Sequence, residues 1–365
     1  MVISMMPHSL HYLIALDCIE FGKHLLTASY VSDEIKQLEP AINSKKLLFL
    51  CEMGLDPGID HMSAMQLFHR IKDEGGKIIS FKSHCGGLVA PESDDNPWHY
   101  KISWNPRNII LAGKAGAVYK ENNKVVHLNY EELFNSNHLV HVPECGMFSF
   151  YPNRDSMGYI DLYELHDTKT FIRTTLRHPD FSFGWKNIVD LKLTDEELTY
   201  NTNGMTVATF FKNHFEKHGV ESVALKMQQT NLGMKQFTFI GINDETLINK
   251  GLCSAADVLQ FILEIKLALQ PEDKDMIVMM HEITYELNGM QHNIQSSLVV
   301  KGENSLRTAM AKTVGLPLGI AARLILEGKI METGLHIPVK PIIYEPVLEA
   351  LKDYGIIFHE KISTI

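Results

Sequence analysis

Residues 46–61 read KLLFLCEMGLDPGIDH, an apolar run that stops at an Asp-Pro-Gly bend and leads into a helical pattern. Lys46–Met53 has the character of a buried strand, and Ile59–Lys72 repeats apolar residues at helical spacing until Gly75-Gly76. Pro57 and Gly58 suit the two central positions of a type II turn, because proline presets φ and glycine accepts a positive one. Such a bend at the end of a strand presents Asp56 and the amides of the following helix to a crevice. Upstream, Met1–Pro7 and His24–Tyr30 read as two more strands. Between them His8–Lys23 carries Leu10, Leu13, Ile14 and Ile19 at helical spacing and stops near Gly22. Ser32 is placed to cap a further helix, with Asp33 and Glu34 favourable at its positive end. A strand over Lys77–Cys85 completes three or four βα units, the α/β class whose ligands sit at strand ends. No G-x-G-x-x-G, the usual dinucleotide turn, occurs in these residues.

Composition narrows the function. The 365 residues are 45% hydrophobic and 21% charged, ordinary for a folded protein of two or three domains. A net charge of −10 without a basic stripe argues against nucleic-acid and anionic-membrane partners. No apolar run is expected to reach the ~18–20 residues that span a bilayer, and without a basic n-region Met1–Pro7 is not expected to be a secretory signal. Cys18, Cys51, Cys85, Cys145 and Cys253 are odd in number and scattered, which predicts free thiols in a cytoplasmic protein. Neither C-x-x-C nor H-E-x-x-H is present, so no zinc site is expected.

Further along, Gly86–Trp104 reads as a loop rich in Gly, Pro, Asp and Asn, with Trp98 and Tyr100 suggesting order and function. Asn108–Asn129 looks strand-like with a hairpin at Glu121-Asn122-Asn123, and Tyr151–Ser156 is a polar knot before a strand at Thr170–Arg177. Residues 183–270 turn helical, and strands return at Asp275–Tyr285 and Gln295–Val300. A long helix over Ser305–Gly328 should bend or split at Pro317, and a helix (Glu345–Tyr354) and strand (Gly355–His359) end the chain.

Arg173 and Arg177, four residues apart on a strand, face the same way and suggest a carboxylate-bearing ligand. Arg154 sits in a loop, where a solvated ion pair is the plain alternative. Cys85, between His84 and Gly86-Gly87, is a nucleophile candidate or an inert core thiol. His281 in its Met-rich strand reads as a core histidine.

Together VISMMPHSLH, LLTASYVSDEIKQLEP, GLDPGIDHMSAM, CGGLVAPESDDNPWHYKISW, YPNRDS, RTTLRH, DMIVMMHE and TAMAKTVGLPLGIAARLILEGKI resemble saccharopine dehydrogenases of the L-glutamate-forming type, in order along essentially the whole chain. The resemblance implies NAD(P)-dependent oxidation of saccharopine to L-glutamate and 2-aminoadipate 6-semialdehyde, or the reverse, by a homodimer. It also implies an α/β fold: a partial Rossmann-type parallel sheet from 1–60 and 301–365, a mixed α/β substrate and dimerisation domain from 61–182 and 275–300, and a helical domain from 183–274. Met6, Pro7, Leu55, Asp56, Pro57 and Asn105 would contact NADP or NAD. Ser29, Tyr30, Gly58, Arg154, Thr175, Leu176 and Arg177 would contact substrate. Asp56 and Tyr30 are the proton-transfer candidates, with Cys85 or His84 as a modulator. Family members start with a strand, Gly-rich turn and ribose-reading residue, about seventy residues expected to be absent here. A non-catalytic remnant binding a dicarboxylate, and a thiol-dependent semialdehyde dehydrogenase, are the other readings.

Overall fold

The computed structural model describes residues 1–135, 138–228 and 230–364. Its smaller sheet is wholly parallel: Val2–Ser4, Leu25–Thr27, Leu48–Leu50 and Gly334–His336 lie side by side in that order. Leu25, Leu26, Leu48, Phe49 and Leu50 are all buried, as strands covered on both faces require. The predicted cap is present, the Ile35 amide donating to Ser32 Oγ at 3.3 Å. Thus residues from both ends of the chain build one sheet whose strand ends open on one edge.

The larger sheet has ten strands, with Lys77–Val89 running antiparallel to Asp275–Leu287 and parallel to Thr170–Arg177. This strand passes straight through Gly86 and Gly87, so the expected loop begins only after Val89. Close packing explains the glycines: a Cβ on Gly86 would lie 2.7 Å from the Leu176 carbonyl oxygen, and one on Gly87 2.6 Å from Met310 Cε. The hairpin at Asn122-Asn123 joins Ala117–Glu121 to Lys124–Leu128. Residues Pro106–Ile110 before it are helical, not strand-like, started by a proline in the first turn. The last strand is His359–Thr364, later than expected, and it pairs with Met290–Lys301 in the larger sheet rather than joining the parallel one. All six of its residues are exposed, so it carries no apolar pattern to mark its place.

Helix Ile59–Asp73 packs between the sheets, its Phe68 ring 4.9 Å from that of Phe81. Helix Ala309–Leu326 starts later than the sequence suggests and continues through Pro317 without splitting. Its start is fixed by the buried Asp275 carboxylate, which accepts from the Ala309 and Met310 amides at 2.6 and 2.9 Å. Contrary to expectation, its 18 residues have a mean hydropathy of 1.4, enough by length and composition to cross a bilayer. Ala309, Thr313, Ile320, Ala321 and Leu324 are nevertheless buried inside the fold. A separate aromatic core, including Trp98, Phe181, Trp185, Phe210 and Phe237, fills the helical region.

Candidate active site

The site lies where the parallel strands end beside the larger sheet. At the first two strand ends, Ser4 Oγ and Ser29 Oγ each lie 2.8 Å from a ring nitrogen of buried His11. Met6 and Pro7 follow the first strand and are exposed, Met6 by 47%. The third strand ends in the Asp-Pro-Gly bend, but the turn is not type II. The Asp56–Pro57 peptide is cis, and Gly58 has φ 147° and ψ −85°. A Cβ on Gly58 would fall 2.1 Å from the Gly54 carbonyl oxygen, so only glycine closes this bend. The Gly58 amide donates to Asp60 Oδ1 at 2.6 Å, tying the bend to the first turn of the helix.

Arg173 locks the bend to the larger sheet. Its side chain is 2% exposed, and Nη2 donates to Asp56 Oδ1 at 2.5 Å and to Asp60 Oδ2 at 2.7 Å. Tyr30 OH donates to Asp56 Oδ1 at 3.2 Å, and the Arg173 guanidinium lies 4.5 Å from the Tyr159 ring. The Arg173 charge is therefore paired within the protein, although its buried Nε has no hydrogen-bond partner, and is not offered to a ligand as its strand position suggested. Behind it, buried His61 contacts Glu52 Oε2 at 2.8 Å and the Tyr163 hydroxyl, while Tyr159 OH donates to Glu52 Oε2 at 3.1 Å.

Two carboxylates sharing one cation titrate apart. Burial raises Asp60, but His61 and Arg173 outweigh it and hold the group below the usual carboxylate range. Asp56 is pushed up, first by burial, against the pull of Arg173 and with the Asp60 charge adding to the rise. The pair thus places one fixed anion next to one readily protonated acid, the division of labour that proton transfer uses. Tyr30 stays a neutral phenol because burial, reinforced by the Asp56 charge, pushes its pKa far up.

Arg177 differs. It is 3% exposed, yet among the described residues no carboxylate pairs with it. Its Nη1 donates to the Leu176 carbonyl at 2.8 Å, Nε is buried without a partner, and the guanidinium lies 5.4 and 5.5 Å from the Tyr100 and Phe181 rings. Thr175 shares its face and pairs in register with Cys85. Leu176 points the other way into an apolar cluster with Leu88 and Phe148, so only its backbone can serve this face. Arg154 is exposed, with its guanidinium 5.4 Å from the Tyr30 ring. Cys85 lies within the fields of Asp56, Asp60, Arg173 and Arg177, and burial and the two carboxylates push its thiol well up. It is a neutral thiol here, not an activated nucleophile. On the opposite sheet face, buried His84 contacts Thr174 Oγ1 at 2.7 Å and Glu282 Oε2 at 3.2 Å. His281 is a core histidine, 2.7 Å from Ser63 Oγ. Asn105 caps its short helix, accepting from the Arg107 amide at 2.9 Å. Its neighbours Trp104 and Pro106 line a cavity of about 400 Å³ with Glu264, Ser305 and Thr308.

Residues 54–356 match the family model for the saccharopine dehydrogenase C-terminal domain. The chain belongs to the saccharopine dehydrogenase family. It is 32% identical to saccharopine dehydrogenase (NADP(+), L-glutamate-forming) of Saccharomyces cerevisiae, over 99% of this chain and 84% of that protein. The solved structure of apo histidine-tagged saccharopine dehydrogenase (L-Glu forming) from Saccharomyces cerevisiae superposes with a TM-score of 0.89 at 31% identity, covering 99% of this chain and 84% of that one. Alpha-aminoadipic semialdehyde synthase of Arabidopsis thaliana is 34% identical over 99% of this chain, and the chain spans only 36% of its length.

Within this saccharopine dehydrogenase fold, sequence reasoning named Asp56, Tyr30 and Arg177 as site candidates but missed Asp60, Glu52, His61, Tyr159 and the clamping role of Arg173. One signal was available for Asp60: it sits two residues past the bend glycine, in the first helical turn, where a carboxylate can reach back to an amide.

Proposed function

We propose that the chain is an NAD(P)-dependent oxidoreductase interconverting saccharopine with L-glutamate and 2-aminoadipate 6-semialdehyde. The observation that carries this reading is Arg177: a buried guanidinium, walled by two aromatic rings and without a carboxylate partner among the described residues, is built for a ligand carboxylate. Arg154, over Tyr30, is the candidate for a second carboxylate of the same ligand.

The strand ends fit the nicotinamide end of a dinucleotide. A parallel sheet opens there, and Gly54 packs closely on Ala28: a Cβ added to Gly54 would lie 3.1 Å from that of Ala28, so backbone rather than side chain faces the crevice. Met6, Pro7, Leu55, Asp56 and Pro57 would hold the cofactor there, and Asn105 would reach it from the larger domain. When bound, the nicotinamide supplies the hydride acceptor or donor. The chain's own residues do the rest. Arg177 and Arg154 orient the carboxylates. Asp56, with its raised pKa, holds or releases the proton needed as the amine leaves and water adds, and Tyr30 OH steadies the Asp56 oxygen. Asp60 stays charged and keeps Arg173 in place.

NADP is the preferred form in this reading because the yeast relative's name carries it. A homodimer belongs to the same proposal, supported by the wholly exposed edge strand His359–Thr364. A reducing compartment such as the cytoplasm suits the five unpaired cysteines. Titration with NADPH and NADH, followed by nicotinamide fluorescence, and with saccharopine, followed by calorimetry, tests the proposal. Saturable binding of both ligands is expected, and binding of neither overturns it.

A further inference from the structure

Outside the crevice, His99, His178 and Asp180 bring three donor atoms within 4.8 Å of one another. We propose that they form a binding site for a divalent metal ion of the zinc class, which clips together the walls around Arg177. No sequence motif marks it, because its ligands come from two distant segments. The inference stands on these residues alone and does not rest on the proposed reaction.

The geometry favours an ion. His99 Nε2 lies 3.3 Å from Asp180 Oδ2. Two donors each about 2.1 Å from a tetrahedral ion lie roughly 3.4 Å apart. The other nitrogen of His99, Nδ1, is 2.6 Å from Asp94 Oδ2. A carboxylate taking that proton fixes the ring with Nε2 lone-pair outward, the usual support for a metal-bound histidine. The His178 ring lies 3.9 Å from that of His99. His178 Nδ1 now accepts from the Asp180 amide at 3.2 Å, a long capping bond that ligation would exchange for the metal.

The location gives the site its consequence. His99 immediately precedes Tyr100, His178 follows Arg177, and Asp180 precedes Phe181, so each ligand is the chain neighbour of one member of the Arg177 cage. An ion here joins the loop after Lys77–Val89 to the start of helix Pro179–Asp190 without touching the reacting groups.

The test is titration of the chelator-treated full chain with Zn²⁺ against a chromophoric chelator, with melting curves recorded in parallel. One tightly bound ion per chain and a melting point raised by a few degrees are expected. His99→Ala and Asp180→Asn should each weaken binding at least 50-fold, and Asp94→Asn about 10-fold or more as the orienting group is lost. Visible absorption of the Co²⁺-loaded wild-type chain should show four-coordinate geometry, a readout that does not depend on the variants folding. Absence of stoichiometric uptake by the wild-type chain overturns the proposal and leaves His99 as a hydrogen-bonded link between Asp94 and Asp180. Uptake that survives His99→Ala overturns it as well, because the ion then sits elsewhere.

Discussion

Arg173 and Arg177 occupy the same face of one strand, four residues apart, and both are almost wholly buried. One is finished and the other is open. Arg173 Nη2 donates to both Asp56 and Asp60, so its charge is neutralised inside the fold. Among the described residues, Arg177 meets a backbone carbonyl and two aromatic rings and no carboxylate. A buried cation without an anion is costly on its own, so the second arginine makes sense as half of a pair completed by a ligand. The contrast separates the part of the site that holds geometry from the part that recognises substrate.

The largest expected effect comes from the closed end. Arg173→Met leaves Asp56 and Asp60 buried without their cation and should destabilise the fold by about 3–5 kcal/mol, read by denaturant unfolding. The same change at the open end should behave oppositely. Arg177→Met should leave unfolding nearly unchanged while weakening saccharopine binding by about 2–3 kcal/mol, roughly 30–150-fold. Equal loss of stability in both variants would erase the distinction.

Asp60→Asn sharpens the comparison through pH. Asp56 is raised by burial and by the Asp60 charge, so removing that charge lets Arg173 pull Asp56 down. The limb of the pH–rate profile belonging to Asp56 should move to lower pH, and a shift to higher pH would contradict the assignment. The smallest effect belongs to Arg154, whose exposed guanidinium over Tyr30 is solvent-screened. Arg154→Ala should cost about 1 kcal/mol or less in saccharopine affinity and nothing measurable in stability.

Three of the four parallel strands and the bend were legible because buried apolar runs, a proline and a glycine are local signals, whereas Gly334–His336 was missed. So was the hairpin at Asn122 and Asn123, both of which take positive φ. The two arginines could be placed on one face but not told apart. The carboxylates that claim Arg173 lie 117 and 113 residues away, and nothing near Arg177 says that it has none. Gly86 and Gly87 resembled a loop because the backbone and side-chain approach that demands them comes from Leu176 and Met310, far along the chain. Strand His359–Thr364 escaped because an edge exposed on both faces carries no hydrophobic alternation.

The most direct test is calorimetric titration of saccharopine into the wild-type chain and Arg177→Met, each with its melting curve. An open arginine predicts saturable binding that weakens at least 30-fold in the variant while the melting temperature holds. Wild-type affinity in Arg177→Met, with its fold intact, would contradict it.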